Sequence, residues 1–329
     1  MALRVVLDAD GVFLCERPYW RTALATALAV LGVDGLPRET FRALDRELFD
    51  VRSAQQHVKA IGINSNWYLS GALVGCAREE LVRRDLSESL SRGDVNAAAD
   101  CWSAALAAYA ESLVHRSDGS GSPVDWLDQQ TWFGPVIPRF QDIFHERDRR
   151  FDITPRHQVL GDVQAKRETF SRLLRSGVRV CICTGRGQNE VREPIRQFEL
   201  TDESHIDTLV THDEVAAAEQ ATGQAALSKP HWFPLAAAVV GFEPALEALK
   251  NGGSLRAPDG ERAVFAGDGM ADFRSTANAR SRGLDVDFVL VTSAALSKDR
   301  VDEIRAAEFT IGVIPQFEAL PDLFAETVR

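Results

Sequence analysis

Val5-Val6-Leu7 is the centre of a short apolar, β-branched run over residues 3–9, which Gly11 stops. Such a run reads as a strand buried on both faces. The change of pattern after this run constrains the fold most. From about Pro18 to about Arg150 the pattern is mostly helical, with no strongly alternating strand. After about Thr154, helix and strand alternate to the end of the readable pattern. Strand–helix alternation specifies a parallel sheet covered by helices on both faces. The first strand belongs to that sheet, so the helical stretch is an insertion after it. The expected fold is α/β: a Rossmann-like parallel sheet core of residues 1–15 and 155–329, with an inserted, mainly α-helical cap domain over 16–154.

Local signals place the elements. In the insertion, helices are expected from Pro18 to Gly32, from Pro37 to Phe49 and from Ala77 to Leu90, and from an Asp94 cap through Val114, on the grounds of helix-forming residues, first-turn proline and capping. Ser117 to Pro123 reads as a flexible loop. Beyond it, Val163–Arg175 is an amphipathic helix closed by Gly177. Val178–Cys183, Ile206–Val210, Ala263–Ala266 and Phe288–Val291 read as strands, and Gln188–Phe198, Pro234–Lys250 and 272–281 as helices. Asn251-Gly252-Gly253 and Pro258-Asp259-Gly260 form a long turn.

Bulk properties narrow the function. A chain of 329 residues with 45% hydrophobic and 26% charged residues buries a sizeable core. Its formal net charge of -11 argues against nucleic acid as a partner, since phosphate-backbone binding needs clustered Lys and Arg. Five cysteines, an odd number, do not form a disulfide framework. Cys181 and Cys183 lack a second Cys/His pair and read as core packing rather than metal ligands. No apolar run approaches the roughly 18 residues of a membrane span. Met1 leads straight into a strand without a signal-peptide pattern, so a cytoplasmic location and no membrane partner are the expectation.

In open parallel sheets, ligands bind beyond the carboxyl ends of the strands. Polar groups gather at those ends here. Asp8 stands where the first strand runs out, and Asp10 comes two residues on. A carboxylate at such a position can attack phosphorus, and a second can act as acid and base; the same Asp-x-Asp-Gly is also a common turn. Gly267-Asp268-Gly269-Met270-Ala271-Asp272 is an acidic turn after a strand, and its carboxylates suit hard Mg2+. Asp268 is the stronger candidate for a direct ligand, whereas Asp272 also suits a helix cap. Thr184-Gly185 can hold phosphate oxygens through the hydroxyl and turn N–H groups. Arg186 can reach phosphate, although an exposed surface arginine is the commoner case. Lys229 precedes Pro230, which disfavours helix there; it can offset carboxylate–phosphate repulsion or be a solvated loop lysine.

As an ordered set, these stretches resemble the haloacid dehalogenase-like superfamily of hydrolases. Asp8-Ala9-Asp10-Gly11-Val12 is similar to its first motif, Thr184 to the second-motif hydroxyl, Lys229 to the third-motif lysine, and Asp268 with Asp272 to the acidic fourth motif. The segment from Ile206 to Val215 and Lys229-Pro230-His231 resemble the phosphoglycolate-phosphatase-like branch. The resemblance implies a Mg2+-dependent phosphatase of a small phosphorylated metabolite, acting through an aspartyl-phosphate. Asp8 would be nucleophile and Asp10 acid, then base. Thr184, Gly185 and Lys229 would bind phosphate. Asp8, the Asp10 carbonyl and Asp268 would hold Mg2+, with Asp272 beside them. The insertion has the position of the first-type cap, which closes over the site and selects substrate.

Three features depart from that pattern. The insertion is longer than usual, at about 135 residues. Thr184-Gly185-Arg186 replaces an Asn-containing form, and Trp232-Phe233 stands where a smaller stretch is usual. The insertion's tryptophans, Trp20, Trp67, Trp102, Trp126 and Trp132, with Tyr68, can stack on a ring-bearing substrate but suit buried packing better. A phosphomutase of the same superfamily and a catalytically idle binding protein are the alternatives. A dehalogenase fits less well, because the resembling dehalogenases lack an Asp at the position of Asp10.

Overall fold

A computed structural model describes residues 2–325 except 34, 62, 64–65, 118–122, 152, 154–156, 201–204, 259–260 and 293–295. The expected loop between Ser117 and Pro123, and part of the turn at Pro258-Asp259-Gly260, lie outside the described residues. The chain divides into two compact units, Met1–Cys15 with His157–Arg329, and Glu16–Arg156.

The first unit is built on β1 (Ala2–Leu7), its neighbours in the sheet and the helices that cover them. The insertion's described helices take the labels α1 to α8, given below. After it, the first unit continues with α9 (Val163–Arg175), β2 (Arg179–Cys183), α10 (Gln188–Arg196), β3 (Thr208–Val210), α11 (His212–Thr222), α12 (Phe233–Val240), α13 (Phe242–Asn251), β4 (Glu261–Gly267), α14 (Met270–Ser281), β5 (Val286–Val291), α15 (Lys298–Ala306), β6 (Thr310–Ile314) and α16 (Leu320–Ala325). The strands form one parallel sheet in the order β3-β2-β1-β4-β5-β6. The order reverses between β1 and β4. Such a switch point opens a crevice at the carboxyl ends of the strands.

Strand alternation sorts the core into two layers. Val6, Cys181, Cys183, Phe265 and Phe288 pack with α12 on one face. Val5, Leu7, Val180, Ile182, Val264 and Val289 pack with Phe170, Phe198 and Phe317 on the other. The cysteines are free thiols in this apolar packing, and burial raises the Cys181 thiol to about 11. Phe13, fully buried just beyond the β1 turn, meets Phe170 edge-on at 5.5 Å and Phe198 at 5.9 Å. Where the chain leaves and re-enters this unit, Cys15 N–H donates to the Gln158 carbonyl at 2.8 Å and Leu160 N–H to the Phe13 carbonyl at 3.0 Å.

Two expectations change here. The single helix expected over Pro234–Lys250 is two, because Gly241 adopts a left-handed φ of 93° that ends α12 and starts α13. The sheet also has a sixth strand, β6, that carries only intermediate burial except at Ile314 and so lacks a strong apolar signal.

The second unit is helical among its described residues: α1 (Arg17–Val30), α2 (Arg38–Arg46), α3 (Gln55–Ala60), α4 (Asn66–Ala77), α5 (Glu80–Ser91), α6 (Val95–Ser117), α7 (Pro123–Asp128) and α8 (Val136–Phe144), with a π-helical turn at Glu47–Val51. Asp94 caps α6 by accepting the Ala97 N–H at 3.0 Å. The sequence pattern does not mark α4 or α8. Helix α4 is buried from Leu69 to Ala77, so it shows no polar face and no period. The tryptophans pack within the unit. Trp102 is fully buried and donates its indole N–H to the Leu73 carbonyl at 3.1 Å. Trp20, Trp126 and Trp132 lie under Lys59, Arg116 and Arg78.

Candidate active site

Asp8 is the first residue beyond β1. Its N–H donates to the Ala266 carbonyl at 2.9 Å, carrying the β1–β4 ladder one step past the strand. The register pairs Leu7 with both Ile182 and Ala266, so Asp8 stands level with the ends of β2 and β4. Asp8 Oδ1 accepts the Ala9 N–H at 2.8 Å and lies 2.8 Å from Lys229 Nζ.

Lys229 is the hub. Its ammonium donates to Asp272 Oδ1 at 2.7 Å, approaches the Cys183 carbonyl at 3.5 Å and sits over the Phe265 ring. The side chain is buried, and so are both partners. It is therefore no solvated loop lysine. It precedes a cis peptide bond to Pro230.

Ligand oxygens of Asp8, Asp268 and Asp272 all lie within 4.8 Å of one another. Two glycines permit that approach. Gly11 has a φ of +73°, and a Cβ there would stand 1.9 Å from Asp268 Oδ2. A Cβ on Gly267 would stand 2.5 Å from Asp272 Cβ. Asp272 takes the helix-cap role: Oδ2 accepts the Gly269 N–H at 3.3 Å at the start of α14, while Oδ1 faces Lys229.

Electrostatics result from this crowding. Burial pushes the Asp8 carboxyl well above the usual range; Lys229 opposes the shift, and Asp272, Asp10 and Asp268 add to it. Burial would lower the Lys229 ammonium, but Asp272 and Asp8 outweigh it and hold it well above its ordinary value. The lysine thus stays charged. Asp8 and Asp272 face the ammonium, and Asp268 brings a third carboxyl beside them. All donors are hard oxygens, which suits Mg2+.

The other expected residues stand around this centre. Thr184 comes directly after β2, buried, with its N–H on the Val210 carbonyl at 2.9 Å and its hydroxyl accepting from Arg186 N–H at 3.2 Å. Gly185 has open space where a side chain would begin. Asp10 takes a different partner from Asp8. The Arg186 guanidinium reaches its Oδ1 from Nε at 3.0 Å and from Nη2 at 2.5 Å. Arg186 is 3% exposed, so the common surface-arginine reading is wrong here. Only its place directly after the Thr184-Gly185 turn hints at this in the sequence.

The chain aligns with an X-ray structure of a structural-genomics target at TM-score 0.62 and 18% identity, covering 99% of each chain. That sheet order, with Asp8, Thr184, Lys229 and Asp268 gathered at the carboxyl ends, decides the architecture. The fold is α/β, a Rossmann-like parallel sheet with a helical insertion. Weaker likenesses include phosphatase Tt82 from Thermococcus thioreducens, at TM-score 0.46 and 17% identity over 92% of this chain and 99% of that one. Another is a HAD-superfamily hydrolase, subfamily IA, variant 1, from Geobacter sulfurreducens, at TM-score 0.39 and 16% identity over 98% and 96%. No protein-family model and no curated protein matches the sequence. No described helix is long and apolar enough to cross a membrane.

Proposed function

We propose that the chain is a Mg2+-dependent phosphatase that hydrolyses a small phosphorylated metabolite through an aspartyl-phosphate on Asp8. The observation that carries this reading is the buried Asp8 carboxylate at the switch point, 2.8 Å from the Lys229 ammonium and clustered with Asp268 and Asp272. An Asp8 oxygen attacks phosphorus, and the bond from phosphorus to the leaving oxygen breaks. Asp10 gives that oxygen its proton. Water then attacks the aspartyl-phosphate, Asp10 takes a proton from it, and the bond from phosphorus to Asp8 breaks to release inorganic phosphate.

Lys229 opposes the rise that burial imposes on the Asp8 carboxyl and meets the phosphate dianion. Thr184 and Gly185 bind its oxygens at the end of β2. Asp8, the Asp10 carbonyl and Asp268 would hold Mg2+, with Asp272 beside them. When bound, the ion supplies positive charge that offsets repulsion between carboxylate and phosphate. The helical unit is the substrate-selecting cap of this reading.

The test is phosphate release across sugar phosphates, nucleotides and phospho-acids with Mg2+. Release is expected with at least one of them, and Asp8→Asn should lower it by roughly 10,000-fold or more. A panel without release, or an Asp8→Asn variant equal to the parent, sinks the reading. Isomerisation without phosphate release would mark a mutase instead.

A further inference from the structure

The Asp10 carboxylate is held by a residue outside the expected constellation. Arg186 places Nε 3.0 and 3.2 Å from the two Asp10 oxygens and Nη2 2.5 Å from Oδ1. The same Nη2 donates to the Cys15 carbonyl at 3.2 Å. Cys15 is the last residue before the chain leaves the sheet unit. The arginine's own backbone is fixed at both ends: its N–H on the Thr184 hydroxyl at 3.2 Å, its carbonyl accepting from His212 N–H at 2.9 Å. Two N–H groups on one carboxylate fix its plane as well as its place, which an ammonium does not do.

Asp10 needs such a hold. It lies past the end of β1, in a turn where Gly11 takes a left-handed φ, so the strand ladder does not orient it. Its side chain is 17% exposed, while that of Arg186 is 2% exposed. A partly open carboxylate on a turn is thus anchored from the buried side by a guanidinium that is itself anchored to two neighbouring segments.

Resting on the phosphatase reading above, we propose that Arg186 is the positioning residue for Asp10, setting the carboxylate at the place from which it serves the leaving oxygen. A positioning loss falls on the step that uses Asp10. It is therefore largest for alkyl phosphates, whose leaving oxygen needs a proton, and small for p-nitrophenyl phosphate, whose leaving group needs almost none.

The test compares kcat for an alkyl phosphate turned over by the enzyme and for p-nitrophenyl phosphate, in the full-length protein with Mg2+. Arg186→Gln should lose about 100-fold on the alkyl substrate and less than about 5-fold on p-nitrophenyl phosphate, with KM little changed. Arg186→Lys should recover part of the alkyl loss, and its melting temperature reports folding if the Gln variant is damaged. Equal losses on both substrates, a loss in KM alone, or no loss overturns the proposal. Asp8→Asn and Asp10→Asn run alongside. If Asp10→Asn discriminates between the substrates and Arg186→Gln does not, only the positioning role fails. If Asp8→Asn keeps full activity, the phosphatase reading fails and takes this one with it.

Discussion

Lys229 Nζ lies 2.8 Å from Asp8 Oδ1, a buried ammonium against a buried carboxylate, and the same nitrogen holds Asp272 at 2.7 Å. Removing either charge of such a pair leaves the other desolvated without a partner, at a cost of about 3–5 kcal/mol. Lys229→Met should therefore lower the denaturant midpoint of the metal-free protein and reduce kcat/KM by at least about 100-fold. A variant with parental stability and turnover would show that the pair is dispensable.

Gly11→Ala tests the geometry of the acidic loop. The new methyl would meet Asp268 Oδ2 at 1.9 Å on a backbone of φ +73°. Either Asp268 moves or the turn does. Stability should fall by more than about 1 kcal/mol, and Mg2+ affinity measured by calorimetry should fall with it.

Divalent cation should stabilise the folded chain without any substrate. Asp8, Asp268 and Asp272 repel one another within 4.8 Å, and a cation that binds only the native site adds about 2.7 kcal/mol at a hundred times its dissociation constant. Mg2+ should raise the melting temperature, EDTA should reverse it, and Asp268→Asn should abolish most of the rise. An unchanged shift in Asp268→Asn would remove that residue from the ligand set.

His231 predicts an acid limb of stability. Burial, helped by Arg282, lowers its ring to about 4, and Nδ1 accepts the Phe233 N–H at 3.1 Å, so a proton there displaces a hydrogen bond. The unfolded ring titrates near about 6.5. Below that pH the unfolded chain takes up the proton first, so stability falls as pH drops from about 6.5 towards 4 and the loss is complete below the folded value. His231→Asn should flatten the difference in midpoint between about pH 7.5 and about pH 4.5 relative to the parent. An identical slope in both would place the titration elsewhere.

Asp8, Thr184 and Asp268 were legible because each directly follows a strand, and strand ends announce themselves. Val5-Val6-Leu7 before Asp8, and Cys181-Ile182-Cys183 before Thr184, are apolar runs broken by a polar residue. Helix α9 was legible to the residue, since Asp162 caps it on the Ala165 N–H and Gly177 closes it with a left-handed φ. Elements without contrast were not. Helix α4 is buried nearly all round, and the break at Gly241 between α12 and α13 lies within one continuous apolar stretch.

By itself, the sequence determined the alternation of apolar strands and helices, and hence a parallel sheet, because burial on two faces leaves a one-dimensional record. It also determined which residue types stand at the strand ends. Partners were decided only by tertiary structure. Lys229 is 221 residues from Asp8, and Arg186 is 176 from Asp10. Register and the reversal between β1 and β4 bring them within hydrogen-bond reach. A short sequence window records what a residue is and how its neighbours alternate; it holds no trace of which distant charge will share its burial.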